Sequence, residues 1–113
     1  MAPKPVVPVH DVVGRVLQRG DHVVFAKGGP GTVFGADLDF GKIDAINPKA
    51  NNGRGSVVMF IASPRFDTKT GSLVFKRHRG SIRADSVFII PGGLIPPDGH
   101  DAIALAQQEW ENK

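Results

Sequence analysis

The sequence predicts a mainly β domain: five short strands wrapped into a small barrel, with an extended N-terminal arm before it and a short C-terminal helix after it. Three observations predict this. Fourteen glycines and nine prolines in 113 residues mark many turns between short elements. Segments rich in β-branched and aromatic residues recur between those turns, and one of them (residues 56–62, SVVMFIA) is apolar on both faces, as a central strand must be. Helical spacing appears at the C-terminus, where Ile103, Ala106 and Trp110 share a face. A chain of this length buries roughly 65% of its extended surface on folding, enough for one domain.

Residues 1–18 read as the arm, with three prolines among the first nine. The barrel spans residues 19–93. Its first strand (residues 21–26, DHVVFA) follows Arg19-Gly20 and ends at the breaker cluster Lys27-Gly28-Gly29-Pro30-Gly31. The second covers residues 38–46, where Phe40, Ile43 and Ile46 recur at threes around Gly41. That interruption predicts a bulge or bend at the glycine. Asn47-Pro48 ends the strand, and Asn51-Asn52-Gly53 supplies residues tolerant of positive φ for a hairpin tip. Pro64 is expected to stop the third strand. A turn at residues 67–71 leads to the fourth (residues 72–77, SLVFKR), and a short turn at Arg79-Gly80-Ser81 to the fifth (residues 86–90). Residues 94–113 form a Pro-rich connection and a helix over about 101–111, capped by Asp98 or Asp101. The face carrying Ile103, Ala106 and Trp110 would dock on the barrel, on a second copy, or on a partner protein.

Within this order, Arg19-Gly20-Asp21-His22-Val23-Val24-Phe25 precedes Gly41-Lys42-Ile43-Asp44-Ala45-Ile46. The pair resembles the KOW and Tudor-like members of the SH3-like barrels, in which a Gly-Asp-x-Val opening leads to a Gly-Lys-Val-x-x-Ile strand. The likeness covers about residues 19–90 and departs from the compact pattern through the insertion at residues 27–37. It implies that Asp21 sits at the strand-opening turn and that Gly41 frees the backbone where the second strand bends. Family members bind RNA, DNA, ribosomal surfaces or protein tails, so the resemblance implies a binding module and leaves the ligand open. The chain is also similar in character to small barrel proteins of tailed bacteriophages.

Several chemistries are excluded or disfavoured. With no cysteine there are no disulfides and no thiolate metal sites. No run approaches the roughly 18 apolar residues of a membrane helix, and Met1-Ala2-Pro3-Lys4-Pro5 lacks the apolar core of a signal peptide. The expectation is a cytoplasmic chain with no membrane partner. Five residues separate Gly35 from Gly41 where a phosphate loop needs four, and Ile43 stands where Ser or Thr must hold magnesium. Gly29-Pro30-Gly31 with Gly35 has the wrong spacing for a dinucleotide fingerprint. Asp37 and Asp39 read as solubilising edge charges. The four histidines share no ligand spacing, and no Gly-x-Ser-x-Gly elbow is present. We therefore expect no catalytic residues, no cofactor and no metal.

Charge points elsewhere. The net charge is +3 with a pI near 9.6, and between Ala45 and Ala84 eight Lys and Arg residues face only Asp67. The other acids gather at the two ends. Lys76-Arg77-His78-Arg79-Gly80 with Arg83 lies beside Phe75 and across a hairpin from Arg65-Phe66. Clustered cations neutralise phosphate, and a loop ring such as Phe66 can stack on a base. The expected binding residues are Arg54, Arg65, Phe66, Lys69, Lys76, Arg77, Arg79 and Arg83, with nucleic acid or an acidic protein surface as partner. The alternative is a structural or regulatory protein that contacts another protein through its arm and Ile103, Ala106 and Trp110. Homo-oligomerisation stays open.

Overall fold

The computed structural model describes residues 8–26 and 38–113. Five antiparallel strands form one sheet: β1 (His22–Ala26), β2 (Leu38–Asn47), β3 (Ser56–Asp67), β4 (Ser72–Arg83) and β5 (Val87–Ile89). One helix, α1 (Pro97–Glu111), follows. The spatial order is β4-β3-β2-β1-β5. The mainly β class and the C-terminal helix agree with the sequence reading, but the sheet is not closed. Its end strands, β4 and β5, do not pair with each other, because β4 stays on β3 through twelve register pairs while β5 is only three residues long.

β3 is apolar on both faces because it separates two cores. Val57, Met59 and Ile61 pack with Val9, Leu17, Val23, Phe25, Ile43, Ala84 and Val87 on one side. Phe60 and Ala62 meet Ile95, Ala102, Ile103 and Ala106 on the other. The helix thus docks on its own sheet, and Ile103 and Ala106 are buried there. Burying such a stripe is what stabilises a short helix.

Local signals located the turns at residues 51–53 and 67–71. Asn51 and Asn52 adopt φ of 54° and 55°, and Gly53 follows at 86°. The elements between turns differ from expectation in five places. Pro64 does not stop β3; it lies opposite Phe75, beyond the last β2–β3 pair (Phe40 with Ala62), where among the described residues only β4 pairs with β3. Arg79-Gly80-Ser81 is strand, opposite Phe60, Met59 and Val58, and a 3-10 turn at Ala84–Ser86 redirects the chain instead. The β2 bulge falls at Asp44, between Ile43 and Ala45. Gly41 serves another purpose: it lies against the fully buried Met59, and a Cβ at this position would collide with the Met59 sulfur. The helix starts at Pro97 with no side-chain cap, so neither Asp98 nor Asp101 caps it; proline suits this place because the first helical N–H has no partner to lose.

The fifth difference is the arm. From Pro8 onward it belongs to the fold. Val9 and Leu17 are each 3% exposed in the first core, and His10 bridges Val16. Asp11 holds the loop together: its carboxylate accepts the N–H groups of Val13 (3.1 Å) and Arg15 (2.8 Å), the Arg15 guanidinium (3.1 Å), and the Ile89 N–H of β5 (3.2 Å). Burial pushes the Asp11 pKa up, but the backbone donors and the Arg15 charge outweigh it and hold the pKa below the ordinary carboxylate value.

Candidate functional site

The β3–β4 hairpin is the longest feature of the molecule. Its turn is organised by Asp67, whose side chain accepts the Lys69 N–H (2.9 Å) and whose carbonyl accepts the Gly71 N–H (2.8 Å). The described β2–β3 pairs end at Ala62, so residues 63–67 and 72–76 continue, among the described residues, as a two-stranded ribbon. Strand alternation then sorts the basic residues onto two faces.

On the α1 face lie Phe75, Arg77 and Arg79. Arg77 donates its Nε to Glu109 of the helix at 2.7 Å. Arg79 donates to Asp44 at 2.9 Å, and its guanidinium stacks 3.9 Å from the Trp110 ring centre and 5.8 Å from that of Phe60. Near the bulge, Arg19 shares Asp44. Arg54 and Arg83 both flank Asp85, at 3.5 and 3.4 Å. Four of the eight residues expected to bind a partner are therefore matched to carboxylates of their own chain. They do not form one patch with the rest.

The opposite face of the ribbon is different. By register Arg65 stands opposite Val74, Ser63 opposite Lys76, and Ile61 opposite His78. Arg65, Lys76 and His78 thus share a face, and Lys69 caps the hairpin tip. Lys69, Lys76 and His78 are exposed and Arg65 is half-buried, and none of the four has an acidic partner among the described residues. The Arg65 Nε is buried without a hydrogen-bond acceptor. Phe66 stands opposite Leu73, and its side chain lies outside the described residues.

Of the helix positions proposed for a partner protein, Ile103 and Ala106 are unavailable because they fill the second core. Trp110, 43% exposed, remains at the surface between Arg79 and Lys113, and Leu105 is exposed elsewhere on the helix. Period-two spacing in residues 76–79 held the clue to the split between faces; the Arg79–Trp110 stack had no signal in the sequence.

Asp39 is not an edge charge: it is 3% exposed, on the same side of β2 as Gly41 and Ile43. Asp37 lies outside the described residues. The fold also joins two histidines that sequence spacing kept apart. The His22 and His100 rings meet edge to face at 5.3 Å, and His100 Nε2 contacts the Gly92 carbonyl at 2.6 Å, a contact that needs the proton on that nitrogen. Burial lowers the His22 pKa from the ordinary 6.5, His100 and Lys42 lower it further, and Asp21 opposes them. A lowered histidine pKa means the unfolded chain binds the proton more readily, so stability declines as pH falls below about 6.5. We expect the melting temperature to drop between pH 7 and 5, and His22→Gln to flatten that slope; an unchanged slope would assign it to other groups.

Among the described residues no three His, Asp or Glu side chains converge on a metal-sized site, and no helix is long and apolar enough to cross a membrane. Compared with protein-family models, curated proteins and solved structures, the chain matches none.

Proposed function

We propose that this chain is a non-enzymatic binding module that holds an acidic partner, a nucleic-acid backbone or an acidic protein surface, on its β3–β4 hairpin. The observation that carries this reading is the basic face of the ribbon: Lys69 and Lys76 are exposed, Arg65 is half-buried and His78 is exposed beside them, all without carboxylate partners among the described residues, while Arg54, Arg77, Arg79 and Arg83 are ion-paired to Asp85, Glu109 and Asp44. Charges left uncompensated on a projecting element attract polyanions and set their approach. The SH3-like, KOW and Tudor-like affinity belongs to the same proposal. It is supported by β1 lying between β2 and β5, and by Asp21 at the strand-opening turn, where its carboxylate accepts the Gln18 N–H at 2.8 Å.

The test is the salt dependence of binding to a fluorescent single-stranded oligonucleotide and to polyglutamate. With about three phosphates neutralised by Arg65, Lys69 and Lys76, raising salt from about 50 to 200 mM should weaken oligonucleotide binding roughly 20-fold. Lys69→Gln with Lys76→Gln should lower the logarithmic salt slope by about 1.4. Binding indifferent to salt, or a double variant with the parent slope, rejects the proposal.

A further inference from the structure

The two edges of the sheet are finished in opposite ways. The β5 edge is sealed: the Val87 carbonyl accepts the Val12 N–H at 2.9 Å, the Ile89 N–H binds Asp11 at 3.2 Å, and the Ile89 carbonyl accepts Arg15 at 2.7 Å. The β4 edge is twelve residues long, and no described element pairs with it. The bond from the Ala84 N–H to the Gly55 carbonyl sets the antiparallel alternation. Even-numbered β4 residues turn their peptide groups to β3; Leu73, Phe75, Arg77, Arg79, Ser81 and Arg83 turn theirs outward. An open edge of this length is a template for another strand.

The surroundings of the edge specify what that strand carries. On the α1 side, a trough of about 250 Å³ runs between the edge and the helix, lined by the apolar Leu73, Phe75, Ala102 and Leu105 together with the charged Arg77, Asp98 and Asp101. Beyond the Arg77–Glu109 ion pair a second hollow of about 210 Å³ is mostly polar, lined by His78, Arg79, Glu109 and Lys113 as well as Ala106 and Trp110. The apolar residues of the first trough, Leu73, Phe75, Ala102 and Leu105, call for apolar side chains on that face. On the opposite face the same edge presents Lys76 and His78, exposed and without acidic partners among the described residues, and a carboxylate can pair with the first and hydrogen-bond to the second. A second copy of the chain does not fit this edge. β4 holds no acidic residue, so two-fold pairing of β4 with itself leaves Lys76 of each copy without a carboxylate opposite and brings the basic stretches of the two copies together.

Resting on the acidic-partner reading above, we propose that the free edge of β4 takes an extended polypeptide segment alternating apolar and acidic residues, added as a sixth strand. Apolar side chains enter the trough beside α1, and acidic ones meet Lys76 and His78.

The test uses the full chain, isotope-labelled for amide hydrogen exchange. The probes are a ten-residue peptide alternating valine and glutamate, a peptide of equal composition with the two residue types in blocks, and an oligothymidylate. The alternating peptide should saturate the protein and slow exchange by roughly tenfold or more at the outward amides of Leu73, Phe75, Arg77 and Arg79. The block peptide should bind about tenfold more weakly, and Lys76→Glu, an exposed position, should weaken the alternating peptide by about tenfold. Saturable peptide binding with unprotected edge amides overturns strand addition and leaves the acidic-partner reading standing. Oligothymidylate binding without peptide binding also overturns it, and assigns the hairpin to nucleic acid. If neither probe binds, both readings fall.

Discussion

Asp11→Ala is expected to cost about 3 kcal/mol and lower the melting temperature by roughly 10–20 °C. The carboxylate is 4% exposed and accepts three backbone N–H groups, two from its own loop and one from β5. Alanine leaves those donors without a partner and removes the tie between the N-terminal segment and the sheet edge. Asp11→Asn keeps the shape and one acceptor oxygen, so its loss should be smaller. The pH dependence has a definite sign. The folded pKa lies below the ordinary value of 3.8, so the contribution is fully present above that value and is lost as pH falls through the folded one. Denaturant melts of the parent should therefore lose stability below about pH 4, and those of Asp11→Asn should lose less over the same range. Equal acid limbs in the two proteins would place the sensitivity elsewhere.

Ile103→Ala is expected to cost about 2–4 kcal/mol, the range for deleting three buried carbons from a well-filled core. Ile103 is 3% exposed and anchors α1 over Phe60 and Ala62. A cost below about 1 kcal/mol would make the helix a loose attachment. The same geometry predicts that removing residues 97–113 does more than delete a surface: it uncovers the Phe60, Ala62 and Phe75 face of the sheet. The truncated chain should bind a hydrophobic dye and aggregate. Partner contacts of the helix are better probed at the exposed Leu105 and Trp110, which can be changed without emptying the core.

These energetics explain where reasoning along the chain succeeded. Turns were legible because their chemistry is local: Asn51 and Asn52 tolerate the left-handed region, and Asp67 can bond to Lys69 two residues on. Element lengths were not legible. Pro64 and Gly80 are breakers by local rule, yet both sit inside strands, one beyond the last described β2–β3 pair and the other opposite Met59 on β4. Asp11 fell in a segment read as an extended arm: its bonds to Val13 and Arg15 are local, but the bond to Ile89 that ties the segment to the sheet spans 78 positions. The basic segment was visible as composition. Its division into a neutralised face and an uncompensated one needed the positions of Asp44, Asp85 and Glu109, which lie on three other elements.

Composition, turn residues and the two-faced apolar run at residues 56–62 determined by themselves that this chain is a mainly β domain with a terminal helix, because those preferences act within a few residues of backbone. Only the tertiary structure decided that the sheet stays open, that α1 covers its own sheet, and which cations keep their charge available. Each of those outcomes depends on contacts between segments distant in sequence, and the free energy of such contacts is not written in either segment alone.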